Sequence, residues 1–120
     1  MQTVGDVGNN IPRIYATMEN KHTYHQASII EMEGKLYDRI VSILIDPRSN
    51  YSYLNLDLVD KCGLRKEVHA KSWLVQLATG TKNRIHHWVR SCAFGRHGMP
   101  TSAHLNVLPL GSYSMILGID

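Results

Sequence analysis

The chain has 120 residues, of which 43% are hydrophobic and 19% charged, a normal globular balance in a length that suits one compact domain. No apolar run approaches a membrane span, and the opening Met1-Gln2-Thr3-Val4 has neither the basic nor the apolar region of a secretory signal. The formal net charge of +3 is mild, and its carriers are scattered: "RKEVHAK" and "TKNR" are short and interrupted, as on a solvated surface rather than a phosphate-binding stripe.

Residues 1–24 read as a leader or spacer of low order, with "GDVGNNIPR" rich in glycine, asparagine and proline. The folded domain is expected over 25–120. "HQASIIEM" predicts a strand, "EGK" (33–35) a turn centred on Gly34, and "LYDRIVSILID" a second strand. That strand is apolar on both faces towards its end, as for a strand buried on two sides. "YSYL" predicts a short extended piece. "NLDLVDKCGL" predicts a short helix, with Asn55 as N-cap, Asp57 in the first turn and Gly63 at the C-terminal stop. "SWLVQLA" and "RIHHWVRSCAF" form the clearest hairpin, joined by "TGTKN" with Gly80 at the tip. Trp73 and Trp88 are expected to pack within it as a cross-strand pair. "GRHGMP" predicts another turn, and "TSAHLNVLPL" a strand with Ala103, Leu105 and Val107 on one face. "MILGID" predicts a last short apolar strand after the "GSYS" loop.

Cys62 and Cys92 are the only cysteines. Without a secretory signal they are expected reduced, and no cysteine pair has metal-ligand spacing. Seven histidines are many for this length, but His86 and His87 would face opposite sides of a strand, and no His-x-x-x-His falls on the helix. No metal site or cofactor is expected.

One stretch stands out. In "LIDPRSNYSYL" the hydrophobic strand ends in a single acid, Asp46, followed by Pro47 and Arg48. An aspartate after a strand is usually only a turn residue. Here, however, a short helix, a Gly-tipped hairpin and then "ILG" (Ile116, Leu117, Gly118) follow in order. With "NVLPLGSYSMILGID", that order and spacing resemble the retropepsin-like aspartic protease domain of gypsy-type LTR retrotransposon Gag-Pol polyproteins, particularly those of plants. The resemblance covers about Ser28 to Asp120.

The resemblance implies a mainly β fold, a retropepsin-like closed β-barrel half with one short helix, which works as a homodimer. It implies Asp46 as the catalytic acid, one from each subunit, sharing a proton across a two-fold axis and activating a water. It implies an active-site loop of Pro47, Arg48, Ser49 and Asn50, and a flap at Ala78, Thr79, Gly80 and Thr81. Ile116, Leu117 and Gly118 would form the hydrophobic-hydrophobic-Gly strand behind the active loop. No metal or cofactor is implied. The partners would be a second copy of the chain and an extended peptide or polyprotein substrate, in a cytoplasmic, virus-like-particle setting without membrane or nucleic acid. Asn50 stands where relatives often carry an Asp that holds substrate backbone. Ile119 stands where some carry an Arg that pairs with it. The family continues beyond the equivalent of Asp120 into a helix and a final dimer strand.

The chain departs from the family where it matters most. The family's Asp-Ser/Thr-Gly reads Asp46-Pro47-Arg48 here. Pro47 lacks the hydroxyl that bridges the two loops, and Arg48 replaces a glycine and would bring positive charge to the paired acids. Weak or absent activity is therefore expected. The alternative is a catalytically degenerate copy of the fold that serves as a dimerisation or peptide-binding module. A third possibility, a basic β-barrel binding nucleic acid, predicts salt-sensitive binding but lacks a basic, aromatic-interleaved face.

Overall fold

The computed structural model describes residues 11–14 and 29–118. The leader outside 11–14, the start of the first expected strand and Ile119 lie outside the described residues. The elements are β1 (Ile30–Leu36), β2 (Arg39–Ile45), β3 (Tyr53–Asn55), α1 (Leu56–Cys62), β4 (Glu67–Gln76), β5 (Lys82–Arg96), β6 (Met99–Leu108) and β7 (Met115–Leu117). They hydrogen-bond in the order β1-β2-β7-β3-β6-β5-β4, and a further β1–β5 pairing closes the first six into a ring, with β4 outside on β5. The chain is thus mainly β with one short helix.

The first hairpin differs from its sequence expectation. The turn is Tyr37-Asp38, with Tyr37 at φ 56°, rather than Glu33–Lys35. Gly34 lies inside β1, where it pairs with Val41 on one side and Arg96 on the other. A Cβ there would run into Ile43 Cδ1 and lie 2.8 Å from the Gly95 carbonyl. The glycine that signals a turn in sequence is instead the point where the ring closes at close backbone approach. The turn at 97–98 needs no such correction: His97 (φ 54°) and Gly98 (φ 74°) both adopt the left-handed region that a tight hairpin requires.

Side chains alternate across the central strands, and both faces are buried. Ile43, Leu54, Leu105, Val107, Met115 and Leu117 pack in one cluster, sealed by Val59 of α1. Their neighbours Leu44, Tyr53, Leu108 and Ile116 pack in a second, with Val75, Ile85, Leu110 and Tyr113. The period of two along each strand sorts adjacent residues into the two clusters.

The helix matches its sequence signals. Asn55 is the N-cap, its Oδ1 accepting from the Asp57 N–H at 3.1 Å, and Gly63 ends the helix at φ 63°. The Asn55 amide also donates to the carbonyls of Tyr113 (2.8 Å) and Gly111 (3.2 Å), tying the helix start to the loop before β7. Asn55→Ala therefore removes a cap and strands two acceptors. It is expected to cost about 2 kcal/mol by denaturant unfolding, and a loss below a few tenths would show the tie to be immaterial.

The β4–β5 hairpin forms as expected, but the two tryptophans are not partners. Trp88 lies opposite Glu67 and Trp73 opposite Ile85, with a register shift between. His69 occupies the space between them, ring centroids 5.8 Å from Trp88 and 6.1 Å from Trp73. Both cysteines are free thiols, and burial pushes the Cys92 thiol up.

Candidate functional site

β2 and β7 run parallel, with Leu44 opposite Ile116 and Ile45 opposite Leu117. Parallel pairing brings both strand ends to the same side of the sheet. The residues that follow, Asp46 and Gly118, are therefore neighbours although far apart in sequence. The Asp46 N–H donates to the Leu117 carbonyl at 2.8 Å, extending the ladder by one bond beyond the strands.

At Asp46 the chain turns. The Ser49 N–H donates to the Asp46 carbonyl at 3.0 Å, closing a tight turn with Pro47 and Arg48 at its centre. Pro47 suits the first central position, where its fixed φ is required and no N–H is needed. Arg48 keeps a negative φ, so this turn demands no glycine. The Arg48 N–H donates to Asp46 Oδ1 at 3.1 Å, and its Nε lies 3.9 Å from the same oxygen. The arginine side chain is 41% exposed, which screens that charge contact.

Asp46 is itself fully buried. Oδ1 is held by the turn, but Oδ2 is buried without a hydrogen-bond partner among the described residues. Such an atom costs free energy wherever water and protein both fail to reach it. The Tyr53 phenol, buried and likewise without a hydrogen bond among the described residues, feels the Asp46 charge. Its ionisation is pushed well above the ordinary tyrosine range, first by desolvation, with Tyr51 and Asp46 adding to the effect and Ser49 opposing it. A raised folded-state value leaves stability untouched below pH ~10 and erodes it above, where only the unfolded phenol ionises.

The rest of the loop folds back beneath β7. Ser49, buried, donates through Oγ to the Tyr51 carbonyl at 2.8 Å, whereas Asn50 is exposed. Ser52 Oγ accepts from the Gly118 N–H at 3.0 Å. Gly118 sits directly on this loop: a Cβ would meet the Ser49 carbonyl oxygen and come within 2.5 Å of that of Tyr51. Hence Asp46, the loop 47–50 and Ile116-Leu117-Gly118 come together as one unit, with Ile116 and Leu117 buried on opposite faces.

Ala78, Thr79, Gly80 and Thr81, expected as a flap, form the exposed β4–β5 tip, with Gly80 at φ 96°. Their hydrogen bonds are internal to the hairpin, such as Leu77 N–H to the Thr81 carbonyl at 2.7 Å. The hairpin reaches the Asp46 side through the end next to its tip: Val75 and Ile85 share a cluster with Leu44, Tyr53 and Ile116. Tyr51 packs on Trp73 with ring centroids 4.8 Å apart, joining the loop to the hairpin. A polar relay runs alongside, from the Ser52 carbonyl to the Asn106 amide (3.3 Å) and from Asn106 Oδ1 to His69 Nε2 (2.9 Å).

Tyr51 and Tyr53 are packing residues, Tyr51 against Trp73 and Tyr53 within the second cluster. Sequence reasoning did not foresee that the Tyr53 phenol is buried and feels the Asp46 charge; its place two residues after Tyr51, on the same strand face, was the available signal. Among the described residues no three side chains are grouped to hold a metal ion. No helix among them is long and apolar enough to cross a membrane. A concavity between the β1–β2 and β5–β6 turns is lined by Gly34, Tyr37, Ile40, Phe94 and Met99, at the opposite end of β2 from Asp46. Comparison with family models finds no match, and comparison with curated proteins finds none either.

Proposed function

We propose that the chain is a retropepsin-like domain of the gypsy-type retroelement class, one half of an aspartic endopeptidase site whose other half is a second copy. The observation that carries this reading is Asp46: fully buried, delivered by a strand end, braced by Gly118, with Oδ2 lacking a partner among the described residues. A carboxylate kept only as a turn residue would be solvated or fully hydrogen-bonded. Oδ2 has no accessible surface within one chain, so it meets a second copy across a two-fold axis only when the loop 47–50 opens.

The chemistry follows from the pairing. Two carboxylates in contact cannot both ionise cheaply, so they hold one proton between them. The ionised Asp46 takes a proton from a water, whose oxygen attacks the scissile carbonyl carbon of an extended peptide. The protonated Asp46 of the second copy gives its proton to the carbonyl oxygen. Collapse of the tetrahedral intermediate breaks the C–N bond, and the amine leaves with a proton passed back through the pair. The β4–β5 tip would close over the peptide and exclude water.

Arg48 acts on this scheme through charge rather than backbone strain, since the turn accommodates it. A guanidinium beside the acids favours ionisation of both and removes the shared proton. Weak cleavage of an extended polyprotein-derived peptide is expected from the parent chain. Arg48→Gly is expected to raise kcat/KM at least about tenfold, with sensitivity to a general aspartic-protease inhibitor. A chain still inactive after that substitution would favour the second reading, a catalytically silent peptide-binding or dimerisation module. The Arg48 contact with Asp46 Oδ1 is what lends that reading support.

A further inference from the structure

β4 is the outer strand of the sheet order, and an exposed strand edge is a template for another strand. Here the edge is used by the chain itself. The Gln76 N–H donates to the Pro12 carbonyl and the Ile14 N–H donates to the Gln76 carbonyl, each at 2.8 Å, making a parallel bridge at Arg13. Residues 11–14, which the sequence alone assigns to a leader, are thus docked on the hairpin next to its tip, where Gln76 pairs with Lys82. Pro12 costs nothing there, because the bridge uses its carbonyl and not the N–H that it lacks. Proline also holds Ile11 extended.

The side chains alternate as they do in a bound strand. Arg13 is exposed, and Ile14 is wholly buried. Ile14 enters the cluster that contains Leu44, Tyr53, Val75, Leu110 and Ile116. Leu44 is two residues before Asp46 and shares its strand face, and Tyr53 feels the Asp46 charge. The aliphatic pocket filled by Ile14 therefore lies on the Asp46 side of the sheet, under the hairpin. Backbone pairing to a sheet edge plus a pocket for alternate side chains is how an extended peptide is recognised by strand addition.

We infer that Ile11-Pro12-Arg13-Ile14 is a ligand held in cis, occupying the groove in which an extended peptide with an aliphatic anchor would otherwise lie. This rests on the reading of the Asp46 face as a peptide site and adds its regulation: the chain covers its own groove and must lift the segment to admit another. The groove's preferred occupant is an extended segment with an aliphatic residue two positions after a proline.

Native-state hydrogen exchange on the full chain tests this without any substitution. The amides of Ile14 and Gln76 are expected to exchange by local opening, about a hundredfold or more faster than core amides such as Ile43 and Leu105. Exchange of these two amides only at the rate of the core would make the segment an inseparable part of the fold and overturn the inference. In Ile14→Ala, their exchange should rise at least about tenfold further with the core unchanged. The peptide NNIPRIYA should then bind saturably, shifting the Val75 and Leu110 methyl resonances. Absence of binding to that variant would also overturn the inference. Neither measurement involves cleavage or dimerisation. A peptide that binds but is never cut, even by Arg48→Gly, leaves the groove standing and removes the protease reading, whereas cleavage with core-like exchange at Ile14 does the reverse.

Discussion

Gly118→Ala is expected to destabilise the domain by about 3 kcal/mol or more, at the upper end of what one added methyl does in a packed interior. The reason is geometric. The Cα of Gly118 rests on two backbone carbonyls, and a Cβ would meet that of Ser49 and approach that of Tyr51 to 2.5 Å. Neither oxygen belongs to a flexible side chain that could swing aside. Ser49 and Tyr51 are tied to each other through Ser49 Oγ, and Ser52 is tied to Gly118 itself. The loop must therefore move as a body, and Asp46 moves with it. Denaturant unfolding should show a lower midpoint at unchanged slope. A loss under about 1 kcal/mol would mean that the loop yields easily and that Gly118 does not hold Asp46 in place.

Asp46→Asn is expected to act in opposite directions on stability and activity. The carboxylate is fully buried, and Oδ2 has no partner among the described residues. Removing the charge at neutral pH relieves a desolvation cost while the amide oxygen still accepts from the Arg48 N–H. A gain of about 1–2 kcal/mol is expected, on the scale of one buried unsatisfied group, with complete loss of cleavage because the amide can neither take nor give the proton. This is the pattern of a group retained for function at the expense of stability. A variant destabilised by more than 1 kcal/mol would identify Asp46 as a structural turn residue. Both proteins must be compared in the same oligomeric state, since association adds to apparent stability.

Much of the fold was legible because local and global signals agree. Asn55, Asp57 and Gly63 mark the helix ends, and "TGTKN" the hairpin, through chemistry that operates within a few residues. The alternation in "IVSILI" reports burial on two faces, and the strand's neighbours supply both. The site was partly legible for the same reason. The strand end at Asp46 and the "ILG" run are each local patterns, and parallel pairing of their strands makes them adjacent.

What was not legible depends on contacts distant in sequence. Gly34 looks like a turn glycine until Ile43 and Gly95 are seen to approach it. The Trp73–Trp88 pairing fails because a register shift in β4 inserts His69 between them. Ile14 sits in a stretch whose glycines, asparagines and proline suggest low order, and only the edge of β4 and the pocket beside Tyr53 give it a place. Arg48 stands where the resembled family has glycine. The turn, with Pro47 before it, holds Arg48 at a negative φ, so the backbone accommodates its side chain.

The central claim, that Asp46 is half of a shared two-carboxylate site, is tested most directly by sedimentation equilibrium of the full chain over a concentration series at pH 5 and pH 7. The expected result is a dimer that grows with concentration and is favoured at pH 5, where the proton that lets two carboxylates meet is more available. A monomer at every concentration and at both pH values would contradict it, leaving Asp46 without the partner that its chemistry requires.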